Sequence, residues 1–344
     1  MMNVKAQRRR AVSKAPKQAV TGEVGAEEVA GVGEEKPEAV PQAERRLPAG
    51  SGITLSDHLP ADRFVRLAVP CEPYLPCNPS VAADHRGNLR CLVRSVNYEL
   101  GEEDGIWFRG DPAPNTVNYF VELGSDLQPK SFKRLDDVEH RATRLPCRDG
   151  LEDARLFWHN KKWGFTASAL HHGPRVRTTM ALCTIAKDKV DSIEFIQSPH
   201  ARDMEKNWMP HVNGSQLTFV YSHHPAESYE LLPTRRKLWI ASFPTLHGWS
   251  GGSQIIPYNG EKIGIVHQRR KDRSRVYYAH RVVAYNSNLE PVKAGREFYF
   301  RGKQVEFCAG IVKHDDRYIL SFGVKDREAW LVSLTATEIA SLFD

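Results

Sequence analysis

The sequence has no apolar run approaching the roughly 18 residues that a membrane helix needs. Its basic start, MMNVKAQRRRAVSKAPKQ, is not followed by the apolar stretch of a secretory signal. Neither a membrane nor an export route is therefore expected. Cysteine is sparse: six residues (71, 77, 91, 147, 183 and 308) are scattered over 344 positions, with no C-x-x-C pair. That spacing argues against a disulfide scaffold and against the common zinc frameworks. Cys71 and Cys77 are near enough to bridge, but a reduced, cytoplasmic protein is the expectation. A Gly-rich phosphate loop and a G-x-S-x-G nucleophile elbow are both missing. So are a helix-turn-helix, a zinc finger and an RNA-binding signature, and without them nucleic acid is not an expected partner. The net charge of +6 comes from scattered clusters such as Arg269–Arg270 and Arg235–Arg236–Lys237. A basic groove for phosphate or an anionic sugar accounts for that charge.

Residues 1 to 52 contain no aromatic residue and are rich in Ala, Glu, Lys, Pro, Gly and Val. Such a segment buries too little surface to offset its ordering entropy, so it is read as a disordered tail, with residues 53 to 344 as the folded domain. Convincing amphipathic helices are also lacking, apart from a short one expected at TATEIASLF. What fills the chain instead is short apolar runs broken by turn residues. NLRCLVRSVNY, KKWGFTASAL, TTMALCTIA, QLTFVYSHH, RKLWIASF, KIGIVHQ, VYYAHRVVAYN, RYILSFGV and AWLVSL all read as strands. The fold class is all-β.

Five segments share one grammar, in which a motif and an apolar run lead through a turn to a second apolar run. They begin at CNPSV, GLEDARLF, KNWMP, GGSQIIP and FCAGIV, and their turns are DHRGN, HNKK, NGS, NGE and HDD. Dividing residues 60 to 344 by five gives about 57 residues per unit, enough for a four-stranded blade with its loops. A five-bladed β-propeller is the expected fold, in which five motifs at five blade starts meet around one channel.

The stretch GLEDARLF raises a local question. In a regular strand Glu152 and Asp153 point to opposite faces. One acid then faces the channel, and the other faces a structural partner, for which Arg155 is the nearest basic residue.

Taken in order, these motifs resemble those of glycoside hydrolase family 130, five-bladed propellers that are largely β-mannoside phosphorylases, and of the related mannosyltransferases and phosphorylases of glycosyltransferase family 108. CNPS with LVRSVNY resembles the first-blade Asn-Pro and Arg-bearing strand, and GLEDARLF the G-x-E-D-P-R signature, with Ala154 in place of Pro. EKNWMP is similar to the Asn-Lys-Asp segment, GIVHQ to Tyr-His-Gly, and GGSQIIP to the Gly-Gly stretch. AGIVKHDDRYILSFGVKD resembles the closing blade. The resemblance spans roughly residues 70 to 330.

It implies an inverting glycoside phosphorylase or glycosidase acting on β-mannosides or related sugars. Asp153 is then the proton donor, acting through a sugar hydroxyl, and inorganic phosphate is the co-substrate that attacks from the opposite ring face. It further implies Arg94, Lys206, His267 and Arg155 as phosphate donors, since a buried dianion needs cationic partners. Asn78, Asn207, Gln254 and Asp326 become groups for sugar hydroxyls, with Trp208 stacking on a sugar face. A mannosyltransferase using a nucleotide sugar or sugar phosphate is the alternative, and a non-catalytic glycan-binding propeller is another. A hydrolase needs a second carboxylate as base, for which Glu306 and Asp326 are the candidates. The His pairs 171–172 and 223–224 suggest no metal, because neighbours on a strand point apart. Neither a metal nor an organic cofactor is expected.

Overall fold

The apolar runs become strands because β-branched and aromatic residues pack well on a pleated surface, and Gly, Asn and Asp turns between them close hairpins. A computed structural model describes residues 46–50, 52–100, 106–109, 115–172, 176–200, 202–231, 236–273 and 275–344. Residues 1–45, most of the expected tail, lie outside the described residues.

Four antiparallel sheets have four strands each and a further sheet has seven. The first sheet runs Leu75–Ala83, Leu89–Val96, Thr116–Leu123, Pro129–Arg134. The second runs Leu151–His159, Lys162–His172, Val176–Ala186, Lys189–Ile196, and the third Met209–Asn213, Gln216–His223, Ala226–Glu230, Arg236–Ala241. The seven-stranded sheet is built on the long hairpin Glu261–Asp272 and Arg275–Tyr285, with Ser250–Gly251 on its inner side. The last sheet contains Glu306–His314, Arg317–Val324 and Glu328–Thr335. Its outer edge is supplied by Phe64–Arg66, and Ile53–Thr54 pairs in parallel with Phe298–Tyr299 of the seven-stranded sheet. Strands from the start of the domain thus complete the two sheets at its end.

The arrangement is propeller-like. Ser80 Oγ donates to the Ala309 carbonyl at 2.9 Å and accepts from the Leu156 amide at 2.8 Å, tying the innermost strands of the last, first and second sheets together. The Ile255 amide donates to the Pro210 carbonyl at 2.8 Å and joins the third sheet to the seven-stranded one. Between the faces lie separate apolar layers. Leu92, Leu156 and Phe165 fill the gap between the first and second sheets, and Phe157, Met180 and Phe219 that between the second and third. Val220, Val266 and Tyr285 follow, then Ile265, Phe300 and Phe322, and finally Val81, Val93 and Ile319. Covered on both faces, the middle strands read as nearly continuous apolar runs rather than as alternating ones. The expected short helix is Ala336–Ser341, started by a reciprocal cap between Thr335 and Glu338.

One boundary differs from the sequence reading. Leu47 is buried in the same layer as Leu320 and Leu342, and its amide donates to Ser341 Oγ at 3.2 Å. The Arg296 guanidinium donates to the carbonyls of Pro48 and Gly50. The end of the expected tail therefore packs on the domain, because one leucine and a few carbonyls suffice to anchor a segment whose composition otherwise predicts solvation.

Candidate functional site

Three inner strands carry a polar residue in the left-handed region within or just before them: Asn78 (φ 40°), Asp153 (φ 49°) and Asn207 (φ 64°). Asn and Asp tolerate this conformation better than other non-glycine residues. At Asn78 and Asp153 it coincides with an extra residue in the ladder. Cys77 and Ser80 pair with Arg94 and Leu92, and Glu152 and Arg155 pair with Ser168 and Thr166. Such a bulge re-aims a side chain. Here it turns polar groups from successive sheets into one cleft of about 970 Å³.

The bulge also overturns the alternation expected at GLEDARLF. Glu152 and Asp153 do not face apart: Glu152 Oε1 lies 2.5 Å from Arg94 Nη2, and Asp153 Oδ1 lies 2.9 Å from Arg94 Nη1. The structural partner of Glu152 is Arg94, from the neighbouring sheet, and not Arg155. Asn78 Nδ2 donates to the same Asp153 oxygen at 2.8 Å. Arg94 Nη2 also donates to the Tyr98 hydroxyl at 3.1 Å and Nε to Thr116 Oγ1 at 3.4 Å, so every nitrogen of the guanidinium is engaged.

Asn78 fits because Gly323 has no side chain: a Cβ there would stand 2.1 Å from Asn78 Oδ1. Burial raises the Asp153 pKa, but Arg94, Arg155 and the hydrogen bonds from Asn78 and Arg94 outweigh it and hold the carboxyl below its ordinary value. Asp326, which shares Asn78 with Asp153, moves the other way. Burial and the nearby Asp153 raise its pKa against the pull of Arg94 and hydrogen bonds to Tyr98 and Asn78. One cleft thus holds two carboxyls with opposed proton affinities.

Asn78, Arg94, Asp153, Lys206, Asn207, His267 and Asp326 all line this cleft. His267 is buried, with its ring edge-on to Phe307 at 4.8 Å between centroids. Burial, helped by His280 and Arg155, drives its pKa well below that of a free imidazole. The sequence reading gave His267 a cationic part; its burial works against that charge.

Three expected site residues lie elsewhere. Arg155 is fully buried beneath the cleft and donates to the carbonyls of Gly252 (2.8 Å) and Asp153 and to Asn207 Oδ1 (3.0 Å). With its fork spent on protein acceptors it fixes Asp153 and Asn207 and is no phosphate ligand. Gln254 spans two inner strands, its Nε2 donating to the Val81 carbonyl at 2.6 Å and its Oε1 accepting from the Ile311 amide at 3.3 Å. Trp208 is 1% exposed and packs edge-on to Phe219 and Tyr221, with its indole N–H on Glu205 Oε2 at 3.0 Å. Positions 207 and 208 are adjacent, so turning Asn207 into the cleft leaves Trp208 in the core.

Glu306, one of the two carboxylates considered as a hydrolytic base, is buried outside the cleft lining. It accepts from the amides of Phe300 and Arg301, both at 2.8 Å, and holds that loop. The side chains of His171 and His172 lie outside the described residues. His223 is buried and shares a 2.8 Å hydrogen bond with the Tyr285 hydroxyl. All six cysteines are free and buried, so Cys71 and Cys77 do not bridge.

Sequence reasoning missed Tyr98, Tyr278, Phe307, Arg269, Arg275, Lys303 and Lys325, which also border the cleft or its central guanidinium. Tyr98 ends the quoted stretch LVRSVNY. Arg269 was visible only as half of a charge pair.

No protein-family profile matches this sequence, and no curated protein matches it. Solved structures do. A β-1,2-mannobiose phosphorylase from Listeria innocua, in complex with β-1,2-mannobiose, aligns with a TM-score of 0.52 at 13% identity over 85% of this chain and 96% of its own. A GDP-Man-dependent mannosyltransferase from Leishmania mexicana aligns with a TM-score of 0.53 at 15% identity, over 79% of this chain and 89% of its own. A mannose phosphorylase from the same organism, in complex with a phosphate ion, gives 0.50 at 12% identity over 85% and 90%. The structural neighbours of this chain are thus mannoside phosphorylases of glycoside hydrolase family 130 and related mannosyltransferase-like propellers, and theirs is the fold it shares.

Proposed function

We propose that this chain is a carbohydrate-active enzyme on a five-bladed propeller, the seven-stranded sheet being the fourth blade, and that it catalyses inverting phosphorolysis of β-mannosides or the reverse transfer. The observation that carries the reading is the Asp153 carboxyl, gripped by Arg94 and Asn78 at the floor of a cleft lined with cations.

In the synthetic direction a mannosyl phosphate seats its phosphate near Lys206. The resting Asp153 is ionised and accepts the proton of the acceptor hydroxyl, directly or through a sugar hydroxyl. The acceptor oxygen attacks the anomeric carbon opposite the C–O bond to phosphate, which leaves with the electron pair, and configuration inverts. In phosphorolysis Asp153 must first carry a proton, which it gives to the leaving oxygen. Arg94 has no idle nitrogen, so its part is to hold the acid rather than to grip phosphate. Asn78, Asn207 and Asp326, which line the same cleft, are assigned to sugar hydroxyls in this reading.

Hydrolysis fits less well. Glu306, one of the two candidate bases, is engaged outside the cleft in holding the Phe300–Arg301 loop, which leaves Asp326 alone for that part. The test is incubation with mannose 1-phosphate and a panel of neutral mannoside acceptors, following phosphate release. Release by the wild type that is lost in Asp153→Asn is the expected result. Sugar binding without turnover would instead identify a glycan-binding propeller.

A further inference from the structure

The cleft carries more positive charge than one phosphate requires. Seven Lys or Arg residues line it against two acids, Asp153 and Asp326. Arg94 is paired with Glu152 and Asp153, and Arg327 lies 2.6 Å from Glu99. Lys206, Arg269, Arg275, Lys303 and Lys325 remain, and none forms an ion pair with a carboxylate among the described residues.

The long hairpin of the seven-stranded sheet makes the bias plain. Its register pairs Arg269 with Tyr278 and Arg270 with Tyr277, and alternation sends the two arginines to opposite faces. On the outer face Arg270 and Arg281 share Glu297, at 2.5 and 3.1 Å. On the inner face His267, Arg269, Val276 and Tyr278 border the cleft with no carboxylate of their own. The outer cations are neutralised within the fold and the inner one is left for a ligand.

Lys206 comes from the segment before the third sheet, Arg269 and Arg275 from the hairpin, Lys303 from the loop that leads into the last sheet, and Lys325 from the turn after Arg317–Val324. They ring the mouth, whereas Asp153 sits at the floor. Lys206 is taken by the phosphate at the reacting carbon in the reading above, which leaves the other four cations of the rim.

We propose that the rim binds a second anionic group of the phosphate class, borne by the substrate itself and distinct from the phosphate at the reacting carbon. This rests on the sugar-phosphate reading above, and it narrows the substrate class to a doubly anionic one. Two sources share that chemistry: a phosphorylated acceptor sugar, and a diphosphate leaving group.

Equilibrium binding separates this inference from turnover. Titrate the full chain with mannose 6-phosphate against mannose, and with GDP against guanosine, at 50 and 300 mM salt. At least one phosphorylated member should bind tenfold or more tightly than its neutral partner, with the advantage shrinking in the higher salt. Arg269→Ala with Lys303→Ala should bring that ratio down at least fivefold, while the exposed Lys130→Gln, an equal loss per site of charge, should leave it alone. A preference for mannose 6-phosphate assigns the rim to the acceptor, and one for GDP to the leaving group. Equal binding of phosphorylated and neutral partners in both arms overturns the inference and leaves phosphorolysis of neutral mannosides intact. Absence of turnover with a surviving phosphate preference overturns only the catalytic reading.

Discussion

Asp153 and Glu152, consecutive on one strand, hold the same guanidinium, that of Arg94, at 2.9 and 2.5 Å. Their roles separate by what else each touches. Asp153 also accepts from Asn78 and borders the cleft. Asp153→Asn keeps shape but cannot give or take a proton in the working range. On a substrate that the wild type turns over, it should lose about 10²–10⁴-fold in kcat while retaining its far-UV spectrum. Glu152→Gln should lower the melting midpoint and reduce kcat less. Full turnover by Asp153→Asn would remove it from the chemistry.

The opposed shifts of the two cleft acids give opposite pH signatures. Asp153 is held below its ordinary value, so its contribution to stability is present above that value and is lost as pH falls through the lower folded pKa. Asp326 is raised, so the folded state binds that proton more tightly than the unfolded chain. Its contribution is best at acid pH and declines as pH rises from about 4 through the raised value. Asp326→Asn mimics the protonated form. Its melting midpoint minus that of the wild type should therefore increase between pH 4 and pH 7. A difference that stays level across that range contradicts the assignment.

Gly323→Ala places a methyl 2.1 Å from Asn78 Oδ1 and 2.5 Å from the Asn78 backbone nitrogen. Asn78 must move and Asp153 loses its amide donor. The expected outcome is at least a tenfold fall in kcat/KM with a folded protein. Gly302→Ala, with open space around the added Cβ but a positive φ of 148°, serves as a comparison for backbone strain alone.

Arg155→Lys retains the charge yet loses the fork that reaches Gly252, Asp153 and Asn207 from one plane. Buried acceptors left without donors cost about 1–3 kcal/mol each, so a loss of about 2–4 kcal/mol is expected in denaturant melts. Phosphate affinity, measured on folded protein, should change less than twofold. A selective loss of phosphate binding with unchanged stability would return Arg155 to the ligand.

Strand positions were legible because apolar β-branched runs between turns have few other uses, and motif order pointed to one cleft. The unreadable parts share a cause. Bulges at Asn78 and Asp153 shift the period of two by one residue, so the faces of Glu152, Asp153 and Arg155 could not be read from spacing. Trp208 follows Asn207, which does enter the cleft, and one position along the chain there separates channel from core. The lowered pKa of His267 depends on burial, to which Phe307 contributes from another sheet, and on His280 of the neighbouring strand. The anchoring of Leu47 depends on a surface made by residues almost 300 positions later.

That anchoring has a consequence for how the chain is made. Ile53–Thr54 and Phe64–Arg66 leave the ribosome more than 240 residues before their partners, Phe298–Tyr299 and Glu328–Thr335. During synthesis the first three sheets can form from neighbouring hairpins, whereas these two early strands keep unpaired edges until their partners emerge. Closure is then a long-range step, slow because the loop entropy must be met before the contacts form. A nascent or truncated chain ending before residue 328 is the form most exposed to edge-to-edge aggregation.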